Sequence, residues 1–422
     1  MSGDAHADLL AVQASLMIDQ RNYLQAMALL RQALALHPDH GEALYFMAFC
    51  QLQSDRDSGR ALATVNLALA AEPHNSRYHS LKAAILCARN DYSGALSSAN
   101  DAIAVDPAEK YGYIEKGRTL VAMQRWKDAE VALHEALALD AEDATAGNLL
   151  TVALQYQNRS DETEQRIHRS LSRDPHDSYA HANAGWSALR KGDLQQAEFH
   201  FREALRIEPE NEHARRGVIE TFKARSPIYR IYLKYCFTMG RLQPRHQIFV
   251  IVGLMLAYRL SRRVFTGSMQ PVGTIIGAAY LLFVLWSWVA HGVGNLLLLF
   301  NSFARRALRR NEKIEGVLVG GNVMLGLPVY LIGLAAGLQG IYPHGFLMIA
   351  SAFPFSATFT NDRKAGKWFY GISGAYIWVM NIAALIIAFS PLPPHIGNMC
   401  FNSATILAMV SILMGAFGIL RR

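Results

Sequence analysis

The hydrophobic pattern of the chain changes character after Phe222. Before that point, small and apolar residues recur at helical spacing in short segments separated by polar turns, which predicts paired amphipathic helices. After it, long apolar stretches dominate, and several reach the length of about 20 residues that a bilayer-spanning helix needs. The pattern therefore predicts an all-α protein in two parts, the second of them in a membrane.

A repeat with a period of 34 residues runs through the first part. The full pattern has a large residue, then a small residue, then a small–apolar pair and a closing proline, which ends the second helix of the unit; the copy at Trp126 lacks the proline. One copy reads Tyr23, Ala26, Ala33-Leu34 and Pro38. Further copies start at Tyr92, Trp126 and Leu194, and two less regular ones include Ala61 and Thr163.

This period and residue pattern resemble the tetratricopeptide repeat family. The resemblance implies a solenoid of antiparallel helix pairs, in which each unit covers its neighbour's apolar face. A further segment, 212–225, has apolar residues at helical spacing and is expected to cap the stack, so that the solenoid spans 1–225. Six repeats are expected, at about 7–40, 41–75, 76–109, 110–143, 144–177 and 178–211.

In that family the first helix of each repeat lines a concave groove that binds ligands. The positions that the resemblance implies for this groove combine aromatic rings, amides and spaced arginines, which suit an extended peptide or a segment of a protein partner. The alternative is that several of these rings only pack against neighbouring helices. The implied residues are Tyr45, Phe49, Arg77, Tyr111, Arg118, Asn148, Gln155, Tyr156, Tyr179, Trp186 and Arg190.

The second part, 246–422, is predicted to be a transmembrane domain of about six helices. The first span is the weakest, because arginines at 259, 262 and 263 interrupt it. The predicted spans are 247–264, 272–298, 316–338, 344–360, 368–390 and 399–420.

Charge sets the expected orientation of these spans. The first 222 residues carry 31 acidic and 22 basic residues, whereas the remainder carries three acidic and 19 basic ones. The basic residues cluster before the first span, after the second, between the fourth and fifth, and at the C-terminus, so six spans place every cluster in the cytoplasm. The N-terminus has no signal-peptide pattern, and we expect a multi-pass protein, of the bacterial inner membrane, with its repeats and C-terminus cytoplasmic. If the first segment does not cross, five spans result and the C-terminus lies outside.

The connector 226–245 joins the two parts with interleaved rings and cations. Such a composition suits the headgroup region and contact with anionic lipid. The alternative is a short linker helix packed on the repeat stack. The residues concerned are Tyr229, Arg230, Tyr232, Lys234, Tyr235, Phe237 and Arg241.

No motif for chemistry stands out. Zinc-protease, phosphate-loop, nucleophile-elbow and dinucleotide fingerprints are absent from the sequence, so we predict no catalytic residue, no cofactor and no metal. Four scattered cysteines do not indicate a disulfide framework. Within the predicted spans, His291 and Asn295 form a candidate polar site that Asn322, Asn381 and Asn402 could join.

Three functions remain open at this point. The first is a membrane-anchored scaffold that recruits a cytoplasmic protein or peptide through the groove. The second is a structural or assembly subunit of a membrane complex, whose helices contact another membrane protein or a second copy. The third is a transporter or membrane enzyme, which the lack of buried charges in the spans disfavours. Nucleic acid is not an expected partner, because the basic residues lie beside the apolar stretches. The second part loosely resembles multi-pass tetratricopeptide proteins of bacterial inner membranes.

Overall fold

The computed structural model describes residues 3–55, 57–242, 246, 249, 253, 256, 259–260, 270–338, 340–361, 363–390 and 393–416. All regular secondary structure in these ranges is helical, as predicted. The chain forms two compact units. The first unit comprises residues 1–187 and 237–246, and the second comprises 188–236 and 247–422. The functional boundaries predicted after 225 and 245 stay predictions.

Twelve helices form six consecutive pairs, and each pair falls on one predicted repeat. The helix Gly41–Cys50 continues through a π-helical turn at Gln51–Asp55. The paired helices are α1 (Gly3–Asp19), α2 (Tyr23–Leu36), α3 (Gly41–Cys50), α4 (Ser58–Ala71), α5 (Ser76–Ala88), α6 (Tyr92–Val105), α7 (Lys110–Ala122), α8 (Trp126–Leu139), α9 (Ala144–Tyr156), α10 (Ser160–Arg173), α11 (Ser178–Lys191) and α12 (Leu194–Ile207).

The tight turns inside five of the six pairs share a backbone signature that repeats with the sequence. A residue with φ near +60° or above occurs at Asn90, Gln124, Asn158 and Gly192, each 34 residues after the last. Arg21 has the same conformation in the first repeat, with φ 58°. Left-handed backbone is uncommon outside glycine, and asparagine tolerates it better than most residues. The left-handed turn is therefore shared by these five repeats, even where glycine is missing, whereas the second repeat has a π-helical turn at Gln51–Asp55.

Small residues allow the paired helices to approach closely. The alanines that recur in the second helices are fully buried, as at Ala95 and Ala129. Gly117 of α7 faces α8, where a Cβ atom would lie 2.6 Å from Cδ2 of Leu133. That distance is too short for any side chain without a shift of the neighbour. The predicted small-residue pattern thus marks the helix crossings.

The second unit begins within α11 and continues with the expected cap, which forms α13. Inside it, Arg215 of α13 donates to Glu312 at 2.7 Å, and this ion pair ties the cap to a later helix of the same unit. The helices after the repeats are α13 (Glu212–Lys223), α14 (Pro227–Gly240), α15 (Gln270–Leu299), α16 (Ser302–Ala307), α17 (Arg310–Glu315), α18 (Gly321–Ala335), α19 (Tyr342–Thr360), α20 (Lys364–Ala388) and α21 (Pro394–Ala416), with a π-helical turn at Gly316–Gly320 between α17 and α18.

Five of the six predicted spans coincide with helices, and the span at 247–264 lies largely outside the described residues. Two helical segments of the described chain are long and apolar enough to cross a membrane, Arg310–Ala335 and Lys364–Ala388, with mean hydropathy of 1.9 and 1.8. Length and composition are the only basis for that statement, so the six-span topology stays a prediction. The first of these segments starts six residues before the predicted 316 and therefore includes Glu315.

Candidate functional site

Five of the eleven residues implied for the groove come together in the first unit. Tyr45 and Phe49 from α3, Arg77 from α5, and Tyr111 and Arg118 from α7 line one cavity of about 650 Å³. All three helices are the first members of their pairs, which is where the family resemblance placed the ligand-facing side. We call this cavity the open groove.

Tyr45 and Arg77 form one wall of the open groove. The ring of Tyr45 is stacked with that of Tyr78 at 5.4 Å, and the guanidinium carbon of Arg77 lies 5.3 Å from the Tyr45 ring centre. Burial raises the pKa of the Tyr45 hydroxyl despite the opposing charge of Arg77, so this group remains a hydrogen-bond donor at neutral pH. Arg77 is exposed and has no ion-pair partner among the described residues, so it presents a net positive charge.

Helix α7 supplies two further residues that line the cavity. Tyr111 is 42% exposed and lines the cavity. Arg118 donates to Glu115 at 3.0 Å, and this carboxylate neutralises its charge. Beside the cavity, the Oγ atom of Ser80 is buried and has no hydrogen-bond partner among the described residues. Buried hydroxyls normally have a partner, so the Oγ atom of Ser80 is an exception among the groups beside the cavity.

Two implied residues have structural roles between α9 and α11. The Nδ2 atom of Asn148 donates to Asp177 at 3.0 Å. The amide of Gln155, only 7% exposed, donates to the backbone carbonyl of Asn183 at 2.8 Å. Both amides thus make hydrogen bonds to the neighbouring helix pair. Tyr179 is half exposed on α11 and does not line the open groove.

Tyr156 and Trp186 lie further along the stack, where the chain covers its own groove. Tyr156 stacks on Trp126 with ring centres 4.2 Å apart and planes within 5°. The indole Nε1 of Trp126 donates to the carbonyl of Gly240 at 3.1 Å, and Phe237 meets Trp186 edge to face at 6.3 Å. We call Trp126, Tyr156 and Trp186 the covered groove. The last implied residue, Arg190, belongs to the second unit.

A buried charge cluster in the second unit was not foreseen from the sequence. The side chain of Lys223 is fully buried, and its Nζ lies 3.3 Å from Glu220 and 3.1 Å from Nδ1 of His291. Burial alone would raise the pKa of Glu220, but the charge of Lys223 and a hydrogen bond from Tyr229 at 2.8 Å lower it, so Glu220 stays ionised. The sequence signal that could have revealed this cluster is the small number of acidic residues after Phe222. It leaves Lys223 and His291 without an obvious acidic partner in that part of the chain.

The polar residues expected to join His291 form separate pairs instead. Asn295 donates to Glu315, which is 4% exposed, at 3.0 Å. Asn322 pairs with Trp378, and Asn381 pairs with His344. Asn402 is exposed. The candidate polar site is therefore not assembled, and Glu315, which we had placed outside the spans, is a buried acid. Among the described residues, no group of three His, Cys, Asp or Glu side chains is arranged to hold a metal.

Stacked helix pairs with a concave groove define a helical repeat protein. Residues 17–85 and 178–211 match family models of the tetratricopeptide repeat. These matches confirm that the first half of the chain contains tetratricopeptide repeats, as the resemblance seen in the sequence indicates. Proteins built from these repeats are protein-interaction scaffolds.

Comparison with other proteins adds little about function. No curated protein matches the chain. Similar solved structures include PilF of Pseudomonas aeruginosa, 17% identical over 54% of this chain and 100% of that chain, with a TM-score of 0.41. PilW, a type IV pilus biogenesis factor, is 19% identical over 50% of this chain and 97% of that one, with a TM-score of 0.42. YrrB, described as having an unusual peptide-binding site, is 20% identical over 44% of this chain and 95% of that one, with a TM-score of 0.31.

Proposed function

We propose that this protein is a membrane-anchored scaffold whose open groove recruits an extended peptide of a cytoplasmic partner. The observation that supports this most directly is the convergence of Tyr45, Phe49, Arg77, Tyr111 and Arg118 on one cavity. Rings and arginines on a concave, partly desolvated surface are the residues that dominate peptide interfaces. On this proposal the chain acts by binding and not by catalysis.

The charges of the open groove favour a particular peptide chemistry. Arg118 is neutralised by Glu115, whereas Arg77 keeps an unpaired charge beside the Tyr45 ring. A carboxylate on the peptide would pair with Arg77, and an apolar or aromatic side chain next to it would pack between Tyr45 and Tyr111. We therefore expect the recruited segment to combine an acidic residue with a neighbouring apolar one.

Affinity recovery from native membranes tests this function. A tagged full-length chain carrying Arg77→Ala or Tyr111→Ala should recover less of its partner than the parent, with each true anchor contributing about 1–3 kcal/mol. Arg31→Ala and Val131→Ala, both exposed on second helices, are the matched controls and should leave recovery unchanged. Equal recovery with all four variants would move the binding function away from the open groove.

A second function, subunit of a membrane complex, is favoured by the surface of α20. Trp368, Ile372, Val379 and Ile386 recur at helical spacing and are 71, 61, 59 and 62% exposed. An apolar strip of this kind needs lipid or another helix to cover it. A photo-crosslinking residue at position 372 should capture a membrane protein if this function is correct, and only lipid if the helix is a simple anchor.

A further inference from the structure

We propose that residues Phe237–Leu242 are an internal ligand of the covered groove, and that this surface recognises an aromatic residue followed three positions later by glycine. The inference concerns the same repeat unit as the proposed function but a different surface, which includes the first residue of α8. It deepens that function by assigning the chemistry of a second, adjacent binding surface.

The segment Phe237–Leu242 belongs to the first unit although it is distant in sequence from the repeats. Residues 237–246 form one compact unit with 1–187, while the rest of α14 does not. The hydrogen bond from Trp126 to Gly240 joins residues 114 positions apart. Contacts of this range do not arise from chain connectivity alone, so the groove surface must favour the segment itself.

The indole of Trp126 and the carbonyl of Gly240 are complementary hydrogen-bonding groups. Gly240 is the last residue of α14, and the final carbonyls of a helix have no partner within the helix. Trp126 is only 8% exposed, and an indole N–H at that depth requires an acceptor. The indole N–H of Trp126 thus supplies the donor for the Gly240 carbonyl, and this carbonyl supplies the acceptor for the indole. The covered groove therefore recognises the carbonyl end of a helix.

Close packing at position 240 explains why the residue there is glycine. A Cβ atom at position 240 would lie 2.9 Å from Cε1 of Tyr156. Since Tyr156 is held face to face against Trp126, it cannot turn away without breaking that stack. Three positions earlier, Phe237 places its ring edge against Trp186. Aromatic contact at one end and steric exclusion at the other specify the pattern aromatic-x-x-Gly.

Competition is the functional consequence. A tethered ligand has an effective concentration of the order of millimolar, so the segment resists displacement by a weak peptide. A partner segment long enough to reach from the open groove into the covered groove has to displace Phe237–Leu242. Such a partner fits best when it carries its own aromatic-x-x-Gly pattern at the end of a helix.

The test supplies the segment in trans. The probe is a fluorescein-labelled peptide of residues 230–242, with Cys236→Ser to prevent oxidation. It should bind the full-length Gly240→Ala chain at least about tenfold more tightly than the unaltered chain, because the internal copy no longer seats well. Gly147→Ala is the matched control, since nothing lies within 4 Å of a Cβ atom there, and it should behave as the unaltered chain.

Two further measurements keep the inference falsifiable. A probe that carries alanine in place of the glycine should bind the Gly240→Ala chain at least about tenfold more weakly than the parent probe. If Gly240→Ala does not fold, Phe237→Ala opens the same surface and replaces it. Equal binding of the probe to altered and unaltered chains, or binding to neither, overturns the internal ligand. Neither result affects the Arg77 and Tyr111 recovery experiment, so the two proposals fail separately.

Discussion

Replacing Lys223 with methionine should strongly destabilise the second unit. The ammonium is fully buried and lies 3.3 Å from Glu220, so its removal leaves a carboxylate, only 16% exposed, without its cation. Breaking a buried ion pair from one side costs about 3–5 kcal/mol. Methionine keeps the packing against Gly294. The Lys223 side chain passes so close to this glycine that a Cβ atom there would lie 2.9 Å from Cδ of Lys223. The unbranched methionine side chain fills the same space. The loss of stability in Lys223→Met therefore measures the removal of the charge and not a change in side-chain volume.

Hydrogen exchange of α13 amides in the full-length chain measures this cost locally. Exchange should be faster by the factor that corresponds to about 3–5 kcal/mol, that is about 10²–10³-fold or more. The double variant Lys223→Met, Glu220→Gln should recover most of the protection of the α13 amides from exchange, because neither charge of the pair remains. Lys191→Met, at an exposed position of the same unit, is the control. If the single variant exchanges as slowly as the parent, or the double variant is no better than the single, the charge reasoning is wrong.

The same pair predicts a pH dependence with a defined sign. Burial opposes ionisation of Glu220, but Lys223 and Tyr229 outweigh it and the folded pKa is lowered. A carboxyl with a depressed folded pKa contributes stability that is complete above its unfolded pKa of about 4.3 and is lost as pH falls through the folded value. The protection of α13 should therefore weaken on acidification below that range. In Lys223→Met this acid-dependent loss should be absent.

Three further predictions concern packing, the covered groove and topology. Gly117→Ala should destabilise the repeats by about 1–3 kcal/mol in thermal melts, because its Cβ atom would meet Leu133, whereas Gly147→Ala should be neutral or stabilising; equal melting would contradict the crossing. A fragment ending at 225 should be soluble and helical, yet melt below one ending at 242, which retains the bond from Trp126; identical melting would mean that the segment adds nothing. Reporter fusions test the six-span topology, and a far-side signal at the C-terminus would refute it. Cytoplasmic signals are expected after Arg310, Gly366 and Arg422, and far-side signals near Pro343 and Pro393.

The repeat architecture could be predicted from sequence because its determinants are local. Each 34-residue unit contains its own turn, its small residues at the crossing and its contacts with the next unit, so the pattern around Tyr92 or Trp126 is sufficient to place a helix pair. The same locality placed Tyr45, Arg77 and Tyr111 on one face, since a residue's position within the repeat determines its direction. Whether that face binds a peptide is a separate matter, which the recovery experiment addresses.

Contacts between distant segments could not be read in this way. Phe237 and Gly240 look like parts of a connector until Trp126 and Trp186 are placed beside them, and Lys223 looks like a surface lysine until α13 and α15 meet at His291. Sequence by itself determined the repeats and their number, because short-range periodicity carries that information. The tertiary structure decided which part of the groove stays open and where charge is buried, because both depend on pairings between residues about 50 to 114 positions apart that no local pattern encodes.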